Sequence, residues 1–157
     1  TSNIGAKAPE ISLPNPDGQI MRLSDLKGKV VLIDFWADWC GPCKSFAPVY
    51  EKVSEAYPDV VFAKVDTEAE QELAAHFQIR SIPTIMVVRQ QVILMAQPGA
   101  LREPDLKDVI EKALALNMEK VSTLISMRFN AKHKMPSKVC KQICLRVPAK
   151  VKQFHLL

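Results

Sequence analysis

The sequence predicts an α/β domain: a mixed central β-sheet flanked by helices on both faces, preceded by an N-terminal β-hairpin extension and followed by a basic C-terminal tail. Three observations carry that reading. Between residues 28 and 117, apolar runs of strand length alternate with stretches of helical spacing in the order β-α-β-α-β-β-α, the pattern of a sheet sandwiched by helices. A C-x-x-C pair, Cys40 and Cys43, stands between the first long apolar run and the first amphipathic stretch. The charge balance then changes sign, since residues 118–157 hold nine Lys/Arg against one acid, Glu119, and residues 1–117 hold 12 basic against 16 acidic side chains.

Taken in order, Ala8 to Leu13 is an extended run, and Pro14-Asn15-Pro16-Asp17-Gly18 is a turn cluster. Gln19 to Leu23 returns with alternating apolar residues, which completes a hairpin. Ser24 has the chemistry of an N-cap for a one-turn helix through Leu26, closed by Gly28. Val30 to Phe35 is a strand with an acid, Asp34, inside it. Gly41 to about Tyr57 has helical spacing, with Phe46, Val49, Tyr50 and Val53 on one face and a kink expected at Pro48. Val60 to Val65 reads as a second buried strand and Glu68 to Phe77 as a helix opened by acidic residues. Thr84–Val88 and Val92–Ala96 form a hairpin around Arg89-Gln90-Gln91, a turn without the usual glycine. Glu103 to about Asn117 is an amphipathic helix with Leu106, Val109, Ile110, Ala113 and Leu114 facing inward. Residues 1–117 are thus one domain, with 1–28 as its hairpin extension, and 118–157 are a tail. A helix from about Glu119 to Phe129 fits the start of that tail, and little packed structure is expected beyond it.

Composition narrows the function. The 157 residues suffice for one domain with a real core, and 48% hydrophobic with 24% charged content is that of a soluble globular protein. No apolar run reaches the ~18–20 residues of a membrane span. The opening Thr1-Ser2-Asn3-Ile4 has neither the basic nor the apolar region of a signal peptide, although the missing Met leaves room for a leader already removed. His76, His133 and His155 are scattered, and the two cysteine pairs lie too far apart for finger-like zinc binding, so no metal is expected. Cys140 and Cys144 are open between a mutual pairing and free thiols. The tail's charge suits nucleic acid or anionic lipid, but with only Phe129 and Phe154 as aromatics no nucleic-acid partner is expected.

The chemistry lies at Cys40. A helix N-terminus presents unpaired N–H groups and a positive dipole end, which stabilise a thiolate there and raise its nucleophilic fraction. Cys43, one turn further in, is spaced to attack a mixed disulfide on Cys40. Gly41 leaves the approach to Cys40 open, and Pro42 suits a first helical turn. The bland alternative is a disulfide that only staples the fold. Asp34 within a Val/Leu/Ile/Phe strand is costly to ionise and should titrate high, unless it sits exposed at the strand end. Pro83 is awkward in a strand-like run, and a cis Ile82–Pro83 bond would explain it.

Several segments extend the pattern. Asp34-Phe35-Trp36-Ala37, Trp39-Cys40-Gly41-Pro42-Cys43-Lys44-Ser45-Phe46-Ala47-Pro48, Ala63-Lys64-Val65-Asp66, Ile79-Arg80-Ser81-Ile82-Pro83-Thr84 and Pro98-Gly99-Ala100-Leu101 follow in an order that resembles the thioredoxin family from about Gly28 to Asn117. The resemblance implies the thioredoxin fold and a protein disulfide reductase. Cys40 would attack, Cys43 would resolve, Asp34 would take the Cys43 proton and Lys64 would be the partner of Asp34. Trp39, Gly41, Pro42, Ile82, Pro83, Gly99 and Ala100 would form the substrate groove, in which a peptide docks by strand addition, while Trp36 would pack in the core. It further implies disulfide-containing protein substrates, thioredoxin reductase or another electron donor, no cofactor, a monomer and a cytoplasmic location. Residues 5–28 instead resemble the start of extracytoplasmic thioredoxin-like reductases of the TlpA and ResA type. They keep open a maturation-pathway reductase, periplasmic if a leader preceded Thr1, although Cys43 to Pro83 leaves no room for the helical insertion usual there. An interaction module that does not need its thiols is the remaining alternative.

Overall fold

The computed structural model describes residues 4–130 of the chain. Its sheet is built around β3 (Val30–Trp36), which pairs in parallel with β4 (Val61–Asp66) and antiparallel with β5 (Thr84–Arg89), while β6 (Val92–Pro98) closes the other side antiparallel to β5. The strand order is β4-β3-β5-β6. A central strand is covered on both faces, which is why β3 reads as an apolar run broken only by Asp34. Val30 and Leu32 enter one hydrophobic cluster, and Val31, Ile33 and Phe35 enter the other. Full burial of Leu32, Ile33 and Phe35 contributes about 2 kcal/mol each, enough for the same strand to tolerate one carboxyl, Asp34.

Helices α1 (Gly41–Ala56), α3 (Glu103–Ala115) and α4 (Met118–Asn130) cover the first face. Cys43, Phe46, Tyr50 and Val53 form the buried stripe of α1, which runs on through Pro48. Leu106, Val109, Ile110 and Ala113 do the same for α3, but Leu114 is exposed, because the apolar face at that turn is already filled by Ala113. The second face is covered by α2 (Gln71–His76), by the 3-10 turn Leu23–Leu26 and by the hairpin of β1 (Ser12–Pro14) and β2 (Ile20–Arg22). Ahead of that hairpin, the chain lies along β6, with Gly5 N–H donating to Ile93 O and Ile93 N–H to Ala6 O.

Local differences from the sequence reading have local causes. Ser24 lies inside the 3-10 turn and caps nothing; its N–H donates to Glu10 Oε1 at 3.1 Å, an acceptor supplied from 14 residues away. The helix expected from Glu68 begins only at Gln71, because Asp66 Oδ1 takes the N–H of Glu68 and holds a turn there. β4 is half-buried rather than buried, since it is the edge of the sheet. The turn Gln90-Gln91 has φ of 51° and 60°, the left-handed pair of a type I′ hairpin, without a glycine. Residues from 118 onward do reach the core, since Met118 and Val121 are buried in the first-face cluster and Ile125 packs against it. Arg89 Nη1 donates to the carbonyls of Ala113, Leu114 and Leu116 at 2.9, 3.2 and 3.0 Å, which satisfies the end of α3. Cys140 and Cys144 lie outside the described residues.

Candidate active site

The C-terminal end of β3 delivers the chain to a short turn, and α1 starts at once behind it. Cys40 is the N-cap of α1. Its Sγ accepts from the Cys43 N–H at 3.2 Å, and its carbonyl accepts from Lys44 N–H at 3.1 Å. Pro42 falls in the first turn, where its missing N–H is harmless. The sulfurs of Cys40 and Cys43 are joined in a disulfide, so the site is in its oxidised form. Both cysteines are buried, whereas Gly41 and Pro42 are exposed and Trp39 is 69% exposed beside them. The sulfur at Cys40 therefore sits under a thin rim and faces the free N–H groups and positive end of α1.

Asp34 lies on the β3 face that looks toward α1, two residues beyond Leu32, and opposite Lys64 in the register of β4. It is 0% exposed, and neither carboxyl oxygen has a hydrogen-bond partner. Lys64 Nζ stands 3.8 Å from Oδ2, too far for a direct hydrogen bond and near enough for attraction, while it also covers the Trp36 ring at 4.8 Å. Desolvation pushes the Asp34 carboxyl from 3.8 up to about 6, against the opposing pull of Lys64. Tyr50 reaches the same region from α1. Its hydroxyl donates to the carbonyls of Leu32 at 3.1 Å and Ala63 at 2.8 Å, and burial first, then Asp34, holds its own titration well above the usual phenol range. The net result is an undersolvated carboxyl on the α1-facing side of β3, held protonated to higher pH than an ordinary aspartate.

A groove of about 590 Å³ opens at Cys40. It brings together Trp39, Cys40, Gly41, Pro42 and Ile82 of the expected residues. Its other walls are Thr67, Glu68, Gln71, Ala75, Arg80 and Ser81, from the β4–α2 turn, α2 and the loop after it. None of these was named as a groove residue from the sequence, although Arg80 and Ser81 stand in the Ile79–Thr84 segment and Glu68 opens the expected helix; Thr67, Gln71 and Ala75 carry no signal of their own. The Ile82–Pro83 bond is cis. Pro83 is buried behind the groove, and its carbonyl accepts from the Gly99 N–H at 2.7 Å. Gly99 and Ala100 are exposed and do not line this groove. Gly99, at φ +94°, holds a backbone conformation that a side chain would strain. Among the described residues, no group of three or more His, Cys, Asp or Glu could hold a metal ion, and no helix is long and apolar enough to cross a membrane.

Comparison with known proteins adds an independent line. The family model described as Thioredoxin matches residues 21–112. Putative thioredoxin 2 of Streptomyces coelicolor is 62% identical over 96 residues, covering 61% of this chain and 72% of that protein. The thioredoxin of Fasciola hepatica superposes with a TM-score of 0.54 at 34% identity, over 56% of this chain and 84% of the other. That of Plasmodium falciparum does so with a TM-score of 0.52 at 39% identity, over 55% and 84%.

Proposed function

Because the chain belongs to the thioredoxin family and is a thiol-disulfide oxidoreductase of the disulfide-reductase kind, we propose the following division of labour among its residues. In the reduced protein, Cys40 is the thiolate. It attacks one sulfur of a substrate disulfide, that S–S bond breaks, and the first substrate thiolate leaves with its electron pair. Cys43 then gives its proton to Asp34 and attacks Cys40 Sγ. The mixed disulfide breaks, the second substrate thiolate departs, and the Cys40–Cys43 disulfide remains. Two electrons have passed to the substrate, and a reductase or another dithiol donor must return them. The observation that supports this assignment best is the position of Cys40 as the N-cap of α1, its sulfur on the Cys43 N–H.

Asp34 serves as the proton acceptor because it is buried and unpaired by hydrogen bonds, and Lys64 limits how far its affinity for protons rises. Trp39, Gly41, Pro42 and Ile82 hold an extended substrate segment in the groove, with Pro83 and Gly99 bracing the loop behind it and Ala100 beside Gly99. Substrates are disulfide-bearing proteins, and we place the protein as a monomer in a reducing compartment, the cytoplasm, where such a dithiol is kept reduced. The test is insulin reduction with dithiothreitol as donor. The full chain should accelerate it, Cys40→Ser should abolish turnover, and Cys43→Ser should accumulate a mixed disulfide with the substrate. No acceleration over dithiothreitol alone would reject the scheme, and partner binding that survives replacement of both cysteines by Ser would favour an interaction module instead.

A further inference from the structure

β4 ends the four-stranded sheet. Among the described residues it pairs with β3 alone, so its outer rim carries backbone N–H and C=O groups that no other strand meets. An apolar slot of about 510 Å³ runs along this rim, with the N-terminal hairpin as its opposite wall, and it shares no lining residue with the groove at Cys40. Five consecutive residues, Val61 to Val65, line it. Successive side chains of a strand point to opposite faces, so a cavity beneath one face would meet alternate residues. Contact with every residue in turn carries the slot along the open edge, and Val31, Leu23 and Leu26 in the same lining carry it inward under the hairpin-side face. From the hairpin side come Ile11, Leu13 and Met21, and Ile20 and Met21 are 59% and 39% exposed beside it. The charged residues of the lining are Arg22 and Lys64, with no carboxylate among them; the Lys64 ammonium is turned to Asp34 and the Trp36 ring, so Arg22 is the cation that an occupant meets.

We propose that this slot accepts an extended segment of a partner protein as an added strand on β4, a segment that alternates apolar and acidic side chains. Main-chain hydrogen bonds to the free edge supply affinity, and alternate side chains enter the apolar wall or meet Arg22. The charge of the lining separates this occupant from its competitors. A second copy paired edge to edge would bring like charge, its own Arg22, to the same slot. The chain's own C-terminal segment, with nine Lys/Arg and one acid over residues 118–157, is repelled in the same way.

The experiment titrates the full chain, labelled for amide NMR, with a blocked peptide alternating Val and Glu, with its Val/Lys counterpart and with the Val/Glu peptide N-methylated at alternate amides. Shifts should centre on residues 61–65 and 20–23 and saturate. The Glu peptide should bind about threefold more tightly than the Lys peptide, the scale of one exposed ion pair exchanged for repulsion at Arg22, and the N-methylated peptide should not bind. Arg22→Glu should narrow the preference while insulin reduction stays unchanged. Shifts centred on residues 39–42 and 79–82, an absence of saturable binding, or equal affinity for the two charged peptides would overturn the proposal. So would concentration-dependent shifts at 61–65 without peptide, which mark a second copy, or tighter binding by a peptide of residues 139–147, which marks the chain's own tail.

Discussion

Asp34 carries the sharpest single-residue consequence. Its carboxyl titrates at about 6 in the folded chain against 3.8 as the ordinary value, so between these two pH values the folded state binds more protons than the unfolded one. Stability therefore falls as pH rises through that window and stays lowered above it. The difference of about two units, at about 1.4 kcal/mol each, amounts to about 3 kcal/mol. Asp34→Asn should stabilise the protein by up to about 3 kcal/mol above pH 6, and the advantage should vanish below 3.8, as urea unfolding across pH would record. In single-turnover kinetics the same variant should slow the resolving step and leave the first attack by Cys40 nearly intact. A variant that resolves at the original rate would remove Asp34 from the mechanism. Asp34 was legible because a lone acid in a strand-length apolar run has few innocent explanations. Thr67, Gln71 and Ala75 were not, because each sits in an ordinary context and joins the groove only when the turn after β4 and α2 converge on Cys40.

At the scale of elements, the β5–β6 hairpin holds an unfavourable turn. Gln90 and Gln91 both occupy the left-handed region, which strains any residue with a Cβ. Replacing the pair with Asn-Gly should stabilise the protein by about 1 kcal/mol, visible as a higher urea midpoint at unchanged m. A neutral result would mean that the two glutamines make compensating contacts. The two strands were readable from β-branched runs on either side of a short polar stretch. The 3-10 turn was readable in its existence and misread in its cap, since local sequence cannot announce that Glu10, ahead of β1, will supply the acceptor. Nor does β4 differ in composition from a central strand; its edge position follows from sheet order, which is a non-local property.

For the molecule as a whole, the question is where the packed body stops. The charge asymmetry made residue 118 look like a border, but Met118 and Val121 are core residues and Ile125 packs on them. Two truncations separate the possibilities. Removing residues 131–157 leaves every one of these contacts in place and should leave the melting temperature nearly unchanged. Removing residues 119–157 exposes the surface under Val121 and Ile125, at about 2 kcal/mol and about 8 °C in melting temperature. Insulin reduction below the melting transition should stay within a few-fold in both, because neither cut touches Cys40, Cys43 or the groove. The apolar residues of α4 were visible in the sequence, but a weak helical period beside many lysines does not reveal that its first turn is seated on the sheet.

Arg89 ties these parts into one kinetic unit. A single guanidinium nitrogen at the end of β5 holds three carbonyls where α3 gives way to α4. Fluctuations that open the β5–β6 hairpin must then release the helical end, and fluctuations that lift the helical end must strand that cation. Amide hydrogens of residues 92–95 and 121–124 should consequently exchange with solvent deuterium through a shared opening, with the same free energy. In Arg89→Met the two sets should part, the helical amides exchanging first, so that the hydrogen bonds of one side chain set how large a piece of the protein opens at a time.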